Sequence, residues 1–474
     1  MTLKLCSWYK HVRQQKFNQL EKVVLIAPIA IWFSYIPTVH FTENSGANIE
    51  ISASVAYIII VALVGLPLVL KNRYTLYNSK LVWLAGLFVS WNVLSVLWSE
   101  NLVRTILTAG MWLVLYIDFL TIMSLRRLKE LVPLMQTIFL VTATIMSGIA
   151  IIQVIYGTWF DWGLCRGCVA HGFGFVRPSV FTIEPQFFGN LLLAPIIMIM
   201  QRYINRTARH SDGWMMITML VALYLTLSRG AIFALLIGGV ALMFINIKRL
   251  HRDVIILPLM VGVGFISGAL LHAVCTQFNP RVADGFYDSI TKSVNQLTLG
   301  VITISSTERH STSEMIKSAP DPKTSGRGEV PEALTVQPPK AQITGYVEES
   351  TNERTKLVRL AKETWQRDGM TMLFGVGSGA AGRALFTQTQ QTGGEAEIIQ
   401  NQYMELLLEN GIIGCLFAAA AGVAFMIQTN RHRWVWAIMT AYAVQWLFFS
   451  GLPNALHLYL ILAVIFATID KVYE

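Results

Sequence analysis

One arginine stands apart in this chain. Arg229 lies in the run Val221-Ala-Leu-Tyr-Leu-Thr-Leu-Ser-Arg-Gly-Ala-Ile-Phe-Ala-Leu-Leu236, where no other residue is charged. An arginine near the hydrocarbon region of a membrane costs at least about 2.5 kcal/mol unless it reaches water or an anion. Holding a phosphate is one use for it; the plain alternative is a short turn from which the side chain reaches lipid headgroups. Four further arginines fall in non-membrane stretches: Arg177 in Val-Arg-Pro-Ser, Arg281 after Asn-Pro, Arg359, and Arg383 after a glycine-rich run. A guanidinium offers a fixed fork of donors and stays charged, so several converging on one cleft would suit a diphosphate. Each has an ordinary alternative, since Arg359 can pair with Glu363 one turn on and Arg281 can sit at a headgroup.

The run Gly375-Val-Gly-Ser-Gly379 could aim backbone N–H groups at a phosphate, although a flexible turn is the commoner reason for such a string. Glu184, in Phe181-Thr-Ile-Glu-Pro185, precedes an apolar stretch. A carboxylate at such a mouth is placed to have its pKa raised and to accept a proton. The competing reading is an acid at a helix start, ahead of a proline and favoured by the helix dipole. His171 and Glu397 stand behind Glu184 as possible bases.

These residues need a scaffold, and composition names its class. With 54% hydrophobic and 14% charged residues and a mean hydropathy of +0.51, the chain reads as an all-α integral membrane protein. Candidate spans are 23–41, 51–70, 81–98, 102–123, 131–155, 187–200, 215–227, 231–247, 254–274, 404–427, 434–449 and 455–469. That gives about twelve transmembrane helices, with a large external loop between the ninth and tenth. The domains follow: residues 1–275 as the first membrane part, 276–402 as the external loop, and 403–474 as the last three helices. Within the loop, 305–355 is rich in Ser, Thr, Glu, Lys and Pro and reads as a disordered insert. After it, Leu357, Leu360, Ala361, Thr364 and Trp365 share a helical face opposite Arg359, Glu363 and Gln366, which suits an amphipathic helix on the membrane surface.

If the amino terminus is cytoplasmic, the loops with Lys71, Arg73 and Lys80, then Arg126 and Arg127, Arg202 and Arg206, Lys248 and Arg249, and Arg431 and Arg433 all fall inside. The positive-inside bias agrees at every step, and both termini are then cytoplasmic. The net charge of +9 is explained by these anchors and needs no nucleic acid. Residues 1–22 read as the lead-in to an uncleaved anchor. Cys165 and Cys168 form a Cys-Arg-Gly-Cys pair in an outward loop, as two free thiols or a local staple, while Cys6, Cys275 and Cys415 look like isolated fillers. No Walker A pattern, zincin motif, paired-cysteine zinc site or aspartate-rich metal site occurs, so energy comes from the substrate or from a gradient.

Three stretches in order resemble the O-antigen ligase and polymerase superfamily of bacterial envelope proteins. They are Leu225-Thr-Leu-Ser-Arg-Gly-Ala-Ile232, Phe374-Gly-Val-Gly-Ser-Gly379 preceded by Arg359 and Trp365, and Ile399-Gln-Asn-Gln-Tyr-Met-Glu-Leu-Leu-Leu-Glu-Asn-Gly-Ile-Ile-Gly414. Ser95-Val-Leu-Trp-Ser-Glu100 and Phe181-Thr-Ile-Glu-Pro185 are similar to it as well, the latter more to its polymerases. The resemblance implies a membrane glycosyltransferase on the outer face of the bacterial inner membrane. Its donor would be a polyprenyl-diphosphate-linked glycan and its acceptor a glycan, a lipid or a protein. It implies that Arg229 and Arg359 bind donor diphosphate and that Gln400, followed by Asn401, stands in the family's final motif at the reacting site; Arg177, Arg281, Arg383 and Glu397 are expected from their own chemistry to assist substrate binding. The family's ligases place a histidine where this chain has Gln400, and an amide cannot act as a base near neutral pH.

No metal or cofactor is called for, because a glycosyl diphosphate already carries a stable anionic leaving group; the protein has to neutralise charge and position the acceptor. Attack from the opposite face of the sugar inverts the anomeric centre. A polymerase is expected ahead of a ligase, given Gln400 and the Phe-Thr-Ile-Glu-Pro stretch. An anion transporter is the third reading; it predicts broken polar helices near the bilayer midplane and internal repeats, of which the sequence shows none.

Overall fold

The structure is a computed structural model describing residues 17–35, 37–42, 48–72, 79–125, 127–160, 176–249, 252–277, 343–389, 399–432 and 434–448. It is helical apart from one antiparallel hairpin, β1 (Thr38–Thr42) with β2 (Asn48–Ser52), in which Thr38 faces Ser52 and His40 faces Glu50. The expected first span at 23–41 is therefore not one helix. It divides into α1 (Gln19–Val24), α2 (Ala27–Ala30) and the strand β1. Pro28 fits the first turn of α2, and the β-branched Thr38, Val39 and Thr42 favour an extended chain beyond it.

The long helices follow: α3 (Ala53–Lys71), α4 (Lys80–Leu94), α5 (Leu102–Met123), α6 (Leu128–Phe160), α7 (Pro185–Ile204), α8 (His210–Leu225), α9 (Arg229–Ile245) and α10 (Ile256–Gln277). Asn101 caps α5 by accepting from the Arg104 N–H at 3.2 Å, and Ser52 caps α3. Seven segments among the described residues are long and apolar enough to cross a membrane; α9, at 17 residues, is a shorter apolar helix. The count of twelve spans is not confirmed, because α8, α9 and α15 are short, the first span is broken, and 455–469 lies outside the described residues.

Beyond Ile343 come α11 (Ile343–Trp365), α12 (Gly369–Phe374), α13 (Ala381–Thr389), α14 (Gln402–Gln428) and α15 (Trp434–Gln445). Residues 343–355, part of the stretch read as a disordered insert, are helical; the rest of that insert lies outside the described residues. The amphipathic face of α11 is buried against protein. Leu360 and Ala361 pack with Val376, Ala384, Leu385, Ile399 and Leu408, and Leu357 and Thr364 are buried too, while Arg359 and Glu363 stay exposed.

The centre of the bundle is α7, which is buried along nearly all of its length. Phe188, Leu191, Leu192, Leu193 and Ile196 are all sealed, enclosed by α6, α8, α9 and α15. The outer helices α3, α5, α9 and α10 expose Leu63, Ile106, Phe244 and Ile266, as lipid-facing surfaces do. α14 breaks at Gly411, which adopts φ +63° and ψ −173°. The part beyond the break, 412–428, is long enough to traverse most of a hydrocarbon layer at about 1.5 Å per residue. The part before it belongs with α11 to α13.

Candidate active site

Arg229 is the first residue of α9, and the turn leading to it is tightly built. Leu227 is held at φ +47°, the Thr226 hydroxyl accepts from the Ser228 N–H at 3.2 Å, and the Thr226 carbonyl accepts from Arg177 Nε at 2.8 Å. Two of the predicted cations thus meet at one corner. The lack of a side chain at Gly230 lets α15 approach, since a Cβ there would lie 2.9 Å from Gln445 Oε1 and 3.2 Å from Phe448 Cβ. The Phe448 carbonyl in turn accepts from Gln186 Nε2 on α7 at 2.7 Å.

The turn with Gln400 and Asn401 binds the same chain end from another side. Gln402 N–H donates to the Trp446 carbonyl at 2.9 Å, Asn401 Nδ2 to Leu447 at 3.2 Å, and the Tyr403 hydroxyl to Ala443 at 2.8 Å. Residues 445–448 therefore bring the start of α9 and the start of α14 together, although about 170 residues separate them along the chain (229 to 401). Asn401 Oδ1 caps α14 by accepting from the Met404 N–H at 3.0 Å, so its amide is committed to shaping the turn. Gln400 is held at φ +56°, and its Oε1 accepts from Arg354 Nε at 2.8 Å.

Arg354 was not singled out by sequence reasoning, which chose Arg359. Arg359 lies 3.9 Å from Glu363 with 70% of its side chain exposed. Arg383 is exposed on α13. Arg281, Glu397 and His171, with Cys165 and Cys168, lie outside the described residues; Cys275 and Cys415 are free thiols. Glu184 is exposed at the N-cap of α7, ahead of Pro185, and makes no side-chain cap bond. It sits one turn before Phe188 and two residues before Gln186, hence close to the corner built on Phe448.

Val180, Leu227 and Gln400, three of the four non-glycine residues with positive φ among the described residues, all border this region. Left-handed backbone costs such residues about 1–3 kcal/mol each and persists where surrounding structure enforces it, most often at functional sites. Val180 is enforced by burial and by its N–H, which donates to Gln153 Oε1 at 2.9 Å.

The glycine run is not open to a ligand. Val376 N–H donates to the Leu408 carbonyl at 2.9 Å, Gly377 N–H to Glu409 at 3.0 Å and Ser378 N–H to Ser95 Oγ at 3.1 Å, while the Glu409 carboxylate accepts from the N–H groups of Gly379 and Ala381. A Cβ on Gly375 would sit 2.3 Å from the Glu409 carbonyl oxygen. Neither a phosphate cradle nor a flexible turn describes it: the run is a packed clasp that joins α4, α5 and α14. Arg367 closes the clasp on another edge by pairing with Glu100 and with Asp368 at 3.1 Å. Hydrogen bonds from the Thr371 backbone N–H and hydroxyl, with the Arg367 charge beside them, hold the Asp368 carboxyl below the usual carboxylate range.

Fold and site together define a multi-pass membrane protein with a cationic, strained corner where three apolar helices meet. Residues 214–419 match the family model described as O-antigen ligase, which supports membership of the O-antigen ligase and polymerase superfamily. The matched segment holds Arg229, Arg354, Arg359, the glycine clasp and the Gln400 turn, and leaves Arg177, Glu184 and residues 445–448 outside it. No curated protein matches the sequence.

Proposed function

We propose that this protein is a polysaccharide polymerase, an inverting membrane glycosyltransferase that extends a glycan from a polyprenyl-diphosphate-linked donor. The observation that carries the reading is the meeting of Arg229 and the Gln400 turn on residues 445–448. An oxygen of the acceptor sugar forms a bond to the anomeric carbon as the bond to the diphosphate oxygen breaks. The electron pair departs with the diphosphate, and the acceptor proton passes to a base or to that leaving group. Arg229 and Arg177 face the growing negative charge, and an external-loop arginine, Arg354 or Arg359, completes the neutralisation. Gln400 orients the acceptor hydroxyl, and Glu184 at the rim is the first candidate for the base. Arg383, Arg281 and Glu397 are assigned to binding of the sugars. No resident metal or cofactor is needed, because the leaving group is already activated.

This corner faces outward from the bacterial inner membrane in the proposed orientation. The basic residues Lys71, Arg127, Arg202, Arg206 and Lys248 fall at the connections opposite in order to the starts of α7, α9 and α14, as the positive-inside bias requires with both termini cytoplasmic.

The test is incubation of purified protein in detergent with lipid-linked glycan from its host, read by gel and mass spectrometry. A ladder lengthened by whole repeat units, lost in Arg229→Ala, supports the polymerase. The family description favours a second reading, a ligase that moves a finished glycan to a lipid or protein acceptor. Transfer of intact glycan to an added acceptor without a ladder would establish that reading instead.

A further inference from the structure

Two polar side chains outside the matched segment lie sealed beside Arg229. Gln445, the last residue of α15, is wholly buried, and neither its Oε1 nor its Nε2 has a hydrogen-bond partner among the described residues. Asn190 on α7 is likewise wholly buried, with Oδ1 and Nδ2 both unpartnered. The Tyr442 hydroxyl, one turn before Gln445, donates to the Asn190 carbonyl at 3.4 Å, so both residues line the junction of α7, α9 and α15.

Buried amides are nearly always paired, because each orphaned donor or acceptor loses its water without replacement. Geometry does not forbid pairing here, since Gln186 on the same helix as Asn190 bonds the Phe448 carbonyl. The unpaired amide of Gln445 is aimed at the first turn of α9. Its Oε1 and Nε2 lie 2.9 and 3.3 Å from where a Cβ on Gly230 would be. That turn carries its own orphan N–H groups, because Ser228 at the N-cap makes no side-chain cap bond. A helix of this length concentrates positive potential at that end.

We propose that Gln445 is a ligand of the donor diphosphate. Its Nε2, with Arg229 and the first N–H groups of α9, receives the phosphate oxygens. Asn190 is a positioning residue behind it. A half-turn of the terminal torsion brings Nε2 to the helix end. Arg229 and Gly230 are half-buried and within reach of a ligand, and Phe448, beside the same glycine, is the side chain that moves aside as the phosphate enters. The inference rests on the diphosphate-donor reading and adds a ligand from the last described helix.

The experiment measures thermal stabilisation of the full chain in detergent by a long-chain polyprenyl diphosphate, with the matching polyprenol as control. Wild type should be stabilised by the diphosphate lipid and not by the alcohol. In Gln445→Met, similar in shape and apolar, the affinity should fall by about tenfold, as expected when one charge-assisted hydrogen bond is lost. Its melting temperature without ligand should equal or exceed that of wild type, because two orphan atoms leave the core. Gln445→Glu, which sets a carboxylate against the phosphates, should bind more weakly still. Unchanged affinity in Gln445→Met would overturn the proposal and leave the donor reading standing. So would a large loss of ligand-free stability in that variant, which would make the amide structural. Wild type indifferent to the diphosphate lipid would overturn the donor reading itself.

Discussion

Gly411 offers a sharp test of how the external helices join the membrane helices. It lies inside the 27-residue α14, where replacing glycine by alanine ordinarily gains about 0.5–1 kcal/mol from helix propensity. The structure reverses the sign. At φ +63° and ψ −173° the backbone is in a region nearly reserved for glycine, and any other residue there costs about 1–3 kcal/mol. A Cβ would also lie 2.3 Å from the Leu373 carbonyl oxygen and 2.6 Å from the Gly375 nitrogen. Both are backbone atoms that cannot swing aside, and forcing them apart costs about another 1–3 kcal/mol. Gly411→Ala should therefore destabilise by roughly 2–6 kcal/mol, lowering the apparent melting temperature in detergent by on the order of 5 °C. Gly262→Ala is the matched control, because its Cβ meets nothing within 4 Å on α10 and the propensity gain should survive. A melting temperature for Gly411→Ala at or above wild type would refute the kink and the clasp built on it.

The two external arginines can be separated directly. Arg354→Ala, which removes the partner of Gln400, should cost at least tenfold in product formation, whereas Arg359→Ala, losing an exposed pair worth about 0.5 kcal/mol, should cost less than twofold. The opposite order in the gel assay would assign the external-loop role to Arg359. Gln400→His should fold normally, since histidine tolerates the left-handed conformation better than most residues, and should shift acceptor choice in a competition between glycan and lipid acceptors; misfolding on size exclusion would show that the position is packed too tightly for an imidazole. Asp368, whose folded pKa is depressed, stabilises the clasp above its unfolded value of about 3.9, and that contribution is lost as pH falls through the lower folded value. Protection of the Thr371 N–H against hydrogen exchange should thus fall only below about pH 4, and Asp368→Ala should lose it at every pH; pH-independent protection in wild type would refute this.

Local signals carried much of this fold. The bounds of α5 follow from a largely apolar run that starts beside Asn101, a cap residue whose side chain accepts from the Arg104 N–H as its type suggests. The buried and exposed faces of α11 follow from helical spacing alone. What stayed hidden depends on partners far along the chain. The glycine run looks free in sequence because the carbonyls of Leu408 and Glu409, which occupy its N–H groups, come some thirty residues later. Arg354 and Arg359 are indistinguishable until α11 is placed against the Gln400 turn, which selects one face of the helix. Gln445 and Asn190 did carry a signal, namely an amide within an otherwise apolar helix, which in a membrane protein marks an interior position.

The clasp also sets a schedule. Asn92, Ser95 and Trp91 leave the ribosome early, yet Ser378 and Asn410, their partners, follow 286, 283 and 319 residues later. Asn92 Nδ2 and Ser95 Oγ have carbonyl partners within their own helix, but the Trp91 indole N–H and the Asn92 Oδ1 acceptor must wait until the glycine run and α14 are made, and such long-range closure is slow. The corner proposed as the site closes later still, because it needs residues 445–448 to draw Arg229 and the Gln400 turn together. An unfinished or truncated chain, however well inserted, therefore lacks the assembled corner, and under the proposed function it would not spend lipid-linked donor on water.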